Sequence, residues 1–215
     1  MTPGTMRGRT NSAAGWANFG RNMTIERKII LGSKSPRRNE LLREILPSFT
    51  VDTGNTFIES KDPDIPPHEL PSVMSEGKSL GFHRPLEPDE ILITADTVVI
   101  VENRLLGKPK DRQDAVDMLK ALSGRTHEVV TSVTVRSLAC KKTFTDTAYV
   151  TFKKLTDSEI DYYIDTCKPY DKAGAYGIQE WIGYIGITEI KGSYYTVMGL
   201  PVHIVYDVLN GKLSL

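Results

Sequence analysis

A mixed α/β fold is predicted for this 215-residue chain by three observations. Short β-branched apolar runs, the longest being ILITADTVVIV from Ile91 to Val101, alternate with segments whose apolar residues recur at helical spacing. Several helical segments carry their own punctuation, as where Asp111 precedes and Gly124 closes the stretch DRQDAVDMLKALSG. A hydrophobic share of 40% with 25% charged residues is ordinary for a globular chain long enough to bury a core.

The elements follow in order. Residues 1–22 contain three Arg, no acid and no apolar periodicity, and read as a disordered N-terminal extension. A basic, acid-poor start also resembles an organelle transit peptide, but the amphipathic stripe is missing. Residues 23–215 read as one domain, because no composition shift marks an internal boundary. RKIILGS is a short buried strand turning at Gly32. Ser35 and Pro36 then open a helix with Leu41, Leu42, Ile45 and Leu46 on its apolar face. An extended piece near FTVDT leads into a long loop rich in Asp and Pro, and a helix is expected within residues 68–83 despite Gly77.

The run around Ala95-Asp96-Thr97 reads as a central strand covered on both faces, with a turn at Glu102-Asn103. HEVVTSVTVRS and KTFTDTAYVTFKKL form a hairpin joined around residues 138–141. TDSEIDYYIDTCKP is a helix opened by a Thr156…Glu159 capping box. YIGITEIKGSYYTVMG is expected as strand, turn and strand, with its Tyr pair in the core, and LPVHIVYDVLNG as a closing helix.

Composition excludes several functions. Lys plus Arg equals Asp plus Glu at 27 each, so the broad basic field of a general nucleic-acid binder is missing and any anion site is local. Cys140 and Cys167 lie far apart with no His at ligand spacing, which argues against a zinc site or a disulfide scaffold and suits a reducing compartment. The longest apolar run is too short to span a bilayer and is interrupted by Asp96.

Five stretches carry chemistry. Lys34, Arg37 and Arg38 crowd a helix N-terminus that is already positive, and with Ser33 and Ser35 they would form a polyanion receptor. A solvated turn, or a Ser-Pro-Arg-Arg kinase site, fits the same residues. Asp96 sits inside an apolar strand, where a carboxylate must be paired, hydrogen-bonded or metal-bound, or else cap a strand end. Lys108 and Lys110 suit a phosphate or a solvated loop. DKAGAYGIQE surrounds Tyr176 with small residues and ends in Gln179, whose amide can pair with a base edge, although an ordinary Gly-rich connection reads the same way. KGSYYTVMGLP offers Ser193 and two Gly turns. None of His68, His83, His127 and His203 has the partners of a catalytic His.

Taken together, LGSKSPRRNELL, TADTVV, GKPKDRQDAVDMLKALSGRTHEV, DKAGAYGIQ and GSYYTVMGLP resemble the Maf family of nucleoside triphosphate pyrophosphatases, in the family's order from Leu31 to Pro201. The resemblance implies a two-lobed mixed-sheet α/β fold, similar to the inosine-triphosphate pyrophosphatases, with a central cleft. It implies hydrolysis of a nucleoside triphosphate to the monophosphate and diphosphate, as a house-cleaning activity on the nucleotide pool. Arg37, Asp96-Thr97 and Tyr176 to Gln179 match the dTTP/UTP branch rather than the 7-methyl-GTP branch.

By the same resemblance, Asp96 is the proton acceptor, Arg37, Thr97 and Gln179 occupy specificity positions, and Ser33, Arg38, Lys78 and Lys108 line the phosphate cleft. A divalent cation, Mg²⁺ or Mn²⁺, is implied at Asp96 and Glu59. Here the sequence departs from the family: the adjacent acids expected near Glu59 are reduced to Glu59 alone, and Gly77 and Ser79 flank Lys78 in place of Glu and Ala. A homodimer in the cytoplasm, with no nucleic-acid or membrane partner, completes the expectation. Rival readings are the same chemistry on modified nucleotides, and a non-catalytic nucleotide-binding regulator of septum formation.

Overall fold

The computed structural model describes residues 27–59 and 64–213, so the extension expected over residues 1–22 lies outside the described residues. The sheet is built around one long strand. β1 (Lys28–Leu31) runs parallel to β2 (Thr50–Val51) on one side and to the start of β3 (Glu90–Val101) on the other. The far end of β3 turns through Glu102 and Asn103, at φ 50° and 62°, into antiparallel β4 (Arg104–Leu106). Two successive positive φ values mark the primed turn that matches strand twist. The other side of β3 pairs antiparallel with β5 (Thr126–Arg136), followed by β6 (Lys141–Phe152) and β7 (Ile187–Lys191). The order is β2-β1-β3-β5-β6-β7, with β4 on the same side of β3 as β1.

Among the described residues seven α-helices cover this sheet: α1 (Pro36–Ile45), α2 (Leu70–Leu80), α3 (Arg112–Leu122), α4 (Asp157–Cys167), α5 (Trp181–Gly186), α6 (Tyr194–Met198) and α7 (Val202–Leu209). Their starts follow the local chemistry. The Ser35 hydroxyl accepts from the Arg38 N–H with Pro36 in the first turn of α1, Asp111 caps α3, and Thr156 and Glu159 form the reciprocal capping box of α4.

Successive side chains of β3 point to opposite faces and sort the core into separate clusters. On one face Ile93 and Ala95 join Leu41, Leu42 and Val205 of α1 and α7. Further along that face Val99 and Val101 join Leu119, Leu122, Ile160 and Tyr163 of α3 and α4. On the opposite face Val98 and Ile100 meet Leu70 and Met74 of α2. Each fully buried Leu contributes roughly 2 kcal/mol. Between the apolar groups Asp96 and Thr97 are half-buried, the break in an otherwise buried strand.

The pairing leaves a gap at the same place. β1 reaches β3 as far as Ile93 and β4 begins at Val99, so residues 94–98 are paired through β5 alone. This leaves a bare strand edge that carries Asp96 toward one face and Thr97 toward the other.

Two local features differ from expectation or explain it. The stretch expected as strand, turn and strand contains β7 alone, flanked by α5 and α6. Gly183 permits this: a Cβ there would stand 1.9 Å from the Ile178 carbonyl oxygen, so α5 lies directly on the preceding backbone. Tyr194 and Tyr195 are 38% and 49% exposed, and so are surface rather than core residues. Gly77, unfavourable inside α2 by helix propensity, faces the Phe57 ring, which a Cβ would meet at 2.3 Å. Close packing of the Phe57 loop on α2 requires the missing side chain.

Candidate active site

The two arginines of the crowded α1 start diverge. Arg38 turns inward: Nε donates to the Gly199 carbonyl at 2.8 Å, Nη1 to the Ser33 hydroxyl at 3.4 Å and Nη2 to the Thr97 hydroxyl at 3.1 Å. Thr131 donates its own proton to the Thr196 carbonyl at 2.8 Å, so at the 3.0 Å contact between the two threonines Thr97 is the donor. Thr97 is thereby committed to holding the guanidinium. Gly199 takes φ 107°, a left-handed conformation suited to glycine, as it presents its carbonyl to Arg38. Arg37 turns outward, and its Nη1 reaches Asp171 Oδ2 at 3.4 Å.

Across the bare edge of β3, Lys78 of α2 donates to Asp96 Oδ1 at 2.6 Å and meets Glu59 Oε1 at 2.7 Å. The hydrogen-bonded Lys78 ammonium holds the Glu59 carboxyl below the usual carboxylate range, and Lys108 and Arg38 add to the pull. Burial lowers the pKa of Arg38, and the Asp96 charge opposes that shift. Groups on opposite faces of β3 therefore share one electrostatic field. Lys108 itself is exposed at the rim.

The donor set fits a hard cation. Asp96 and Glu59 already converge on one positive point, the Lys78 ammonium, and Mg²⁺-type ions are held by one or two carboxylates with water and phosphate oxygens completing the shell. Among the described residues no group of three or more His, Cys, Asp or Glu gathers.

Gln179 follows the Ala173–Ala175 3₁₀ turn, and its Oε1 is a buried acceptor without a donor. Such an atom costs free energy unless something supplies an N–H. The turn before it is fixed by Tyr176, whose hydroxyl lies 2.7 Å from Nε2 of His127, a residue 1% exposed beside the Phe152 ring. Burial pushes the His127 imidazole down to about 4.

The unfolded chain should take up that proton near 6.5, so stability present above pH 6.5 is lost as pH falls toward 4, by up to about 3 kcal/mol. Urea unfolding of wild type and His127→Gln at pH 7 and pH 4.5 checks this. The variant should lose less stability between the two, and an equal loss counts against a neutral buried His127.

Of the residues singled out in the sequence, the structure groups Ser33, Arg38 and Thr97 on one side of the edge and Lys78, Asp96 and Glu59 on the other, and it sets Arg37 against Asp171, on the same connection between α4 and α5 that carries Gln179. Sequence reasoning assigned no site role to Thr131, Asp171, Lys172, Glu180 and Tyr163, all now joined to these groups, whereas Gly199 belongs to a Gly turn it had singled out. Lys172 and Glu180 carried a signal, being charges that bracket a run of small and apolar residues.

Comparison with known proteins bears on the family. Residues 28–212 match the family model described as Maf-like protein. A Porphyromonas gingivalis protein named dTTP/UTP pyrophosphatase is 47% identical over 185 residues, covering 85% of this chain and 93% of its own length. Proteins of the same name from Bacteroides thetaiotaomicron and Flavobacterium johnsoniae are each 44% identical over 183 residues, covering 85% of this chain and 95% and 94% of their own lengths. With the family model spanning the whole sheet and the residues on both sides of the β3 edge, and such identity sustained across it, the chain belongs to the Maf family.

Proposed function

We propose that this protein is a nucleoside triphosphate pyrophosphatase that hydrolyses dTTP and UTP to the monophosphate and diphosphate. The observation that carries the reading is the open edge of β3, flanked by Arg38 on Thr97 at one side and by Lys78 with Asp96 and Glu59 at the other: cations to neutralise phosphates and a carboxylate to receive a proton. The relatives named above supply the choice of base.

In this mechanism Arg38 and Lys78, with Lys108 at the rim and Ser33 beneath, bind the triphosphate and offset the charge that grows on the leaving diphosphate. Asp96 accepts the proton of the water that attacks the α-phosphorus. A bound Mg²⁺ or Mn²⁺ would be held by Asp96 and Glu59 and would supply further neutralisation of phosphate oxygens. Gln179 offers an acceptor to the N–H of uracil or thymine, and Arg37 pairs with Asp171 on the connection that carries Gln179. Thr97 contributes by fixing Arg38. A base that cannot donate to Gln179 leaves a buried acceptor unmet, a loss of about 1–3 kcal/mol.

The two cysteines are free, which suits a cytoplasmic setting. No helix among the described residues is long and apolar enough to cross a membrane. A homodimer is proposed as well, to be checked by light scattering of the purified protein.

Pyrophosphate release measured with Mg²⁺ or Mn²⁺ across dTTP, UTP, CTP, GTP, 7-methyl-GTP and modified pyrimidine triphosphates tests the reading. Turnover of dTTP and UTP well above the rest is expected. Binding of dTTP without release under either metal would overturn the enzyme, and preference for 7-methyl-GTP would remove the roles of Arg37 and Gln179.

A further inference from the structure

The loop that carries Gln179 is anchored by a polar chain with no place in the reaction. Tyr163, on α4 and fully buried, donates its hydroxyl to the Glu180 carboxylate and accepts the Gly177 N–H at 3.0 Å. The other Glu180 oxygen meets Lys172 at 3.0 Å, and Lys172 also reaches Asp171 at 2.7 Å. The second Asp171 oxygen meets Arg37.

The burial is unusual for such residues: the Lys172 side chain is 9% exposed and that of Glu180 23%. A buried ammonium is costly unless paired, and here it is paired twice. Glu180 also precedes α5 as its cap residue, but its side chain does not cap that helix. It is spent on Tyr163 and Lys172 instead. Burial and the Glu180 charge raise the Tyr163 pKa, so the phenol keeps its proton and remains the donor.

The backbone is held at the same points. The Glu180 N–H closes a turn onto the Gly177 carbonyl at 3.0 Å, so Gly177 and Glu180, the two ends of the turn that contains Gln179, are both tied to Tyr163. A flexible amide would have to be ordered on binding, at a cost in rotamer and backbone freedom, whereas one on an anchored turn has already been ordered.

We infer that Tyr163, Glu180 and Lys172 are positioning residues that set substrate specificity by fixing Gln179, and that Asp171 carries the same chain on to Arg37, so the two base-side contacts are placed together. The inference rests on the base-reading role proposed for Gln179.

The test uses the full-length protein with Mg²⁺ and compares kcat/KM for UTP and CTP in wild type, Tyr163→Phe, Glu180→Gln, Gln179→Ala and the double variant Glu180→Gln/Gln179→Ala. Tyr163→Phe and Glu180→Gln should each lower the UTP to CTP ratio by roughly tenfold, through KM for UTP, with kcat within about threefold. In the Gln179→Ala background Glu180→Gln should change the ratio no further, because both act on one contact.

An unchanged ratio in Tyr163→Phe and Glu180→Gln, with Gln179→Ala losing preference, overturns the positioning role alone. Equal use of UTP and CTP by wild type, unaltered by Gln179→Ala, overturns the base-reading role instead. If Glu180→Gln does not fold, Tyr163→Phe reads the same ratio with the loss of a single hydroxyl.

Discussion

Asp96→Asn should lower pyrophosphate release from dTTP and UTP by about 10²–10⁴-fold while the protein stays folded. The substitution keeps shape and an oxygen that still accepts from Lys78, but removes the base and one of two negative charges facing that ammonium. Lys78 is not orphaned, since Glu59 remains 2.7 Å away. Half-buried between the apolar groups of β3, the amide also sheds the desolvation cost of the carboxylate, so unfolding should shift by about 1 kcal/mol or less. Single-turnover release of labelled pyrophosphate, beside a thermal melt, measures both. Activity within tenfold of wild type would mean that Asp96 is not the proton acceptor.

The second large effect is expected at Arg38. Arg38→Lys preserves the charge and loses the fork, so the carbonyl of Gly199 and the hydroxyls of Thr97 and Ser33 can no longer all be met. An unmet buried carbonyl costs about 1–3 kcal/mol, and the seam from α1 to the Gly199 turn loses a principal tie. Turnover should fall about 10²-fold or more, because the charge is retained but displaced from the phosphate path. Chemical unfolding and kcat/KM together decide it: unchanged stability with unchanged turnover would mean that the guanidinium geometry is idle.

Much of this was readable in the chain. The Ser35-Pro36 start, the Asp111 cap and the Thr156…Glu159 box are contacts within three residues, so local chemistry sufficed. Asp96 stood out because a carboxylate inside an apolar strand is costly. The short helices over residues 181–198 did not, since pieces of five or six residues with Gly, Ile and Tyr suit either state; α5 is set by close packing of Gly183 on residue 178 and Gly186 on residue 152, and α6 by packing on β5 and β6.

The partnerships at the site were hidden for another reason. Lys78 with Glu59, Arg38 with Gly199 and Tyr163 with Glu180 join separate elements, and no spacing rule spans such separations. Charge crowding at Lys34, Arg37 and Arg38 pointed to an anion, but the sequence could not say that Arg38 turns inward and Arg37 toward Asp171.

The bare stretch of β3 over residues 94–98 has one more consequence. An unpaired strand edge is a template on which a foreign strand can add, and proteins usually guard such edges with charge, brevity or cover. Here the opening is five residues long, bounded by β1 and β4, with the Asp96–Lys78 pair on one side and Arg38 on the other. An invading strand would have too little edge to bind and charges to desolvate in reaching it. The shortness of the gap that leaves Asp96 open thus also guards it against strand addition.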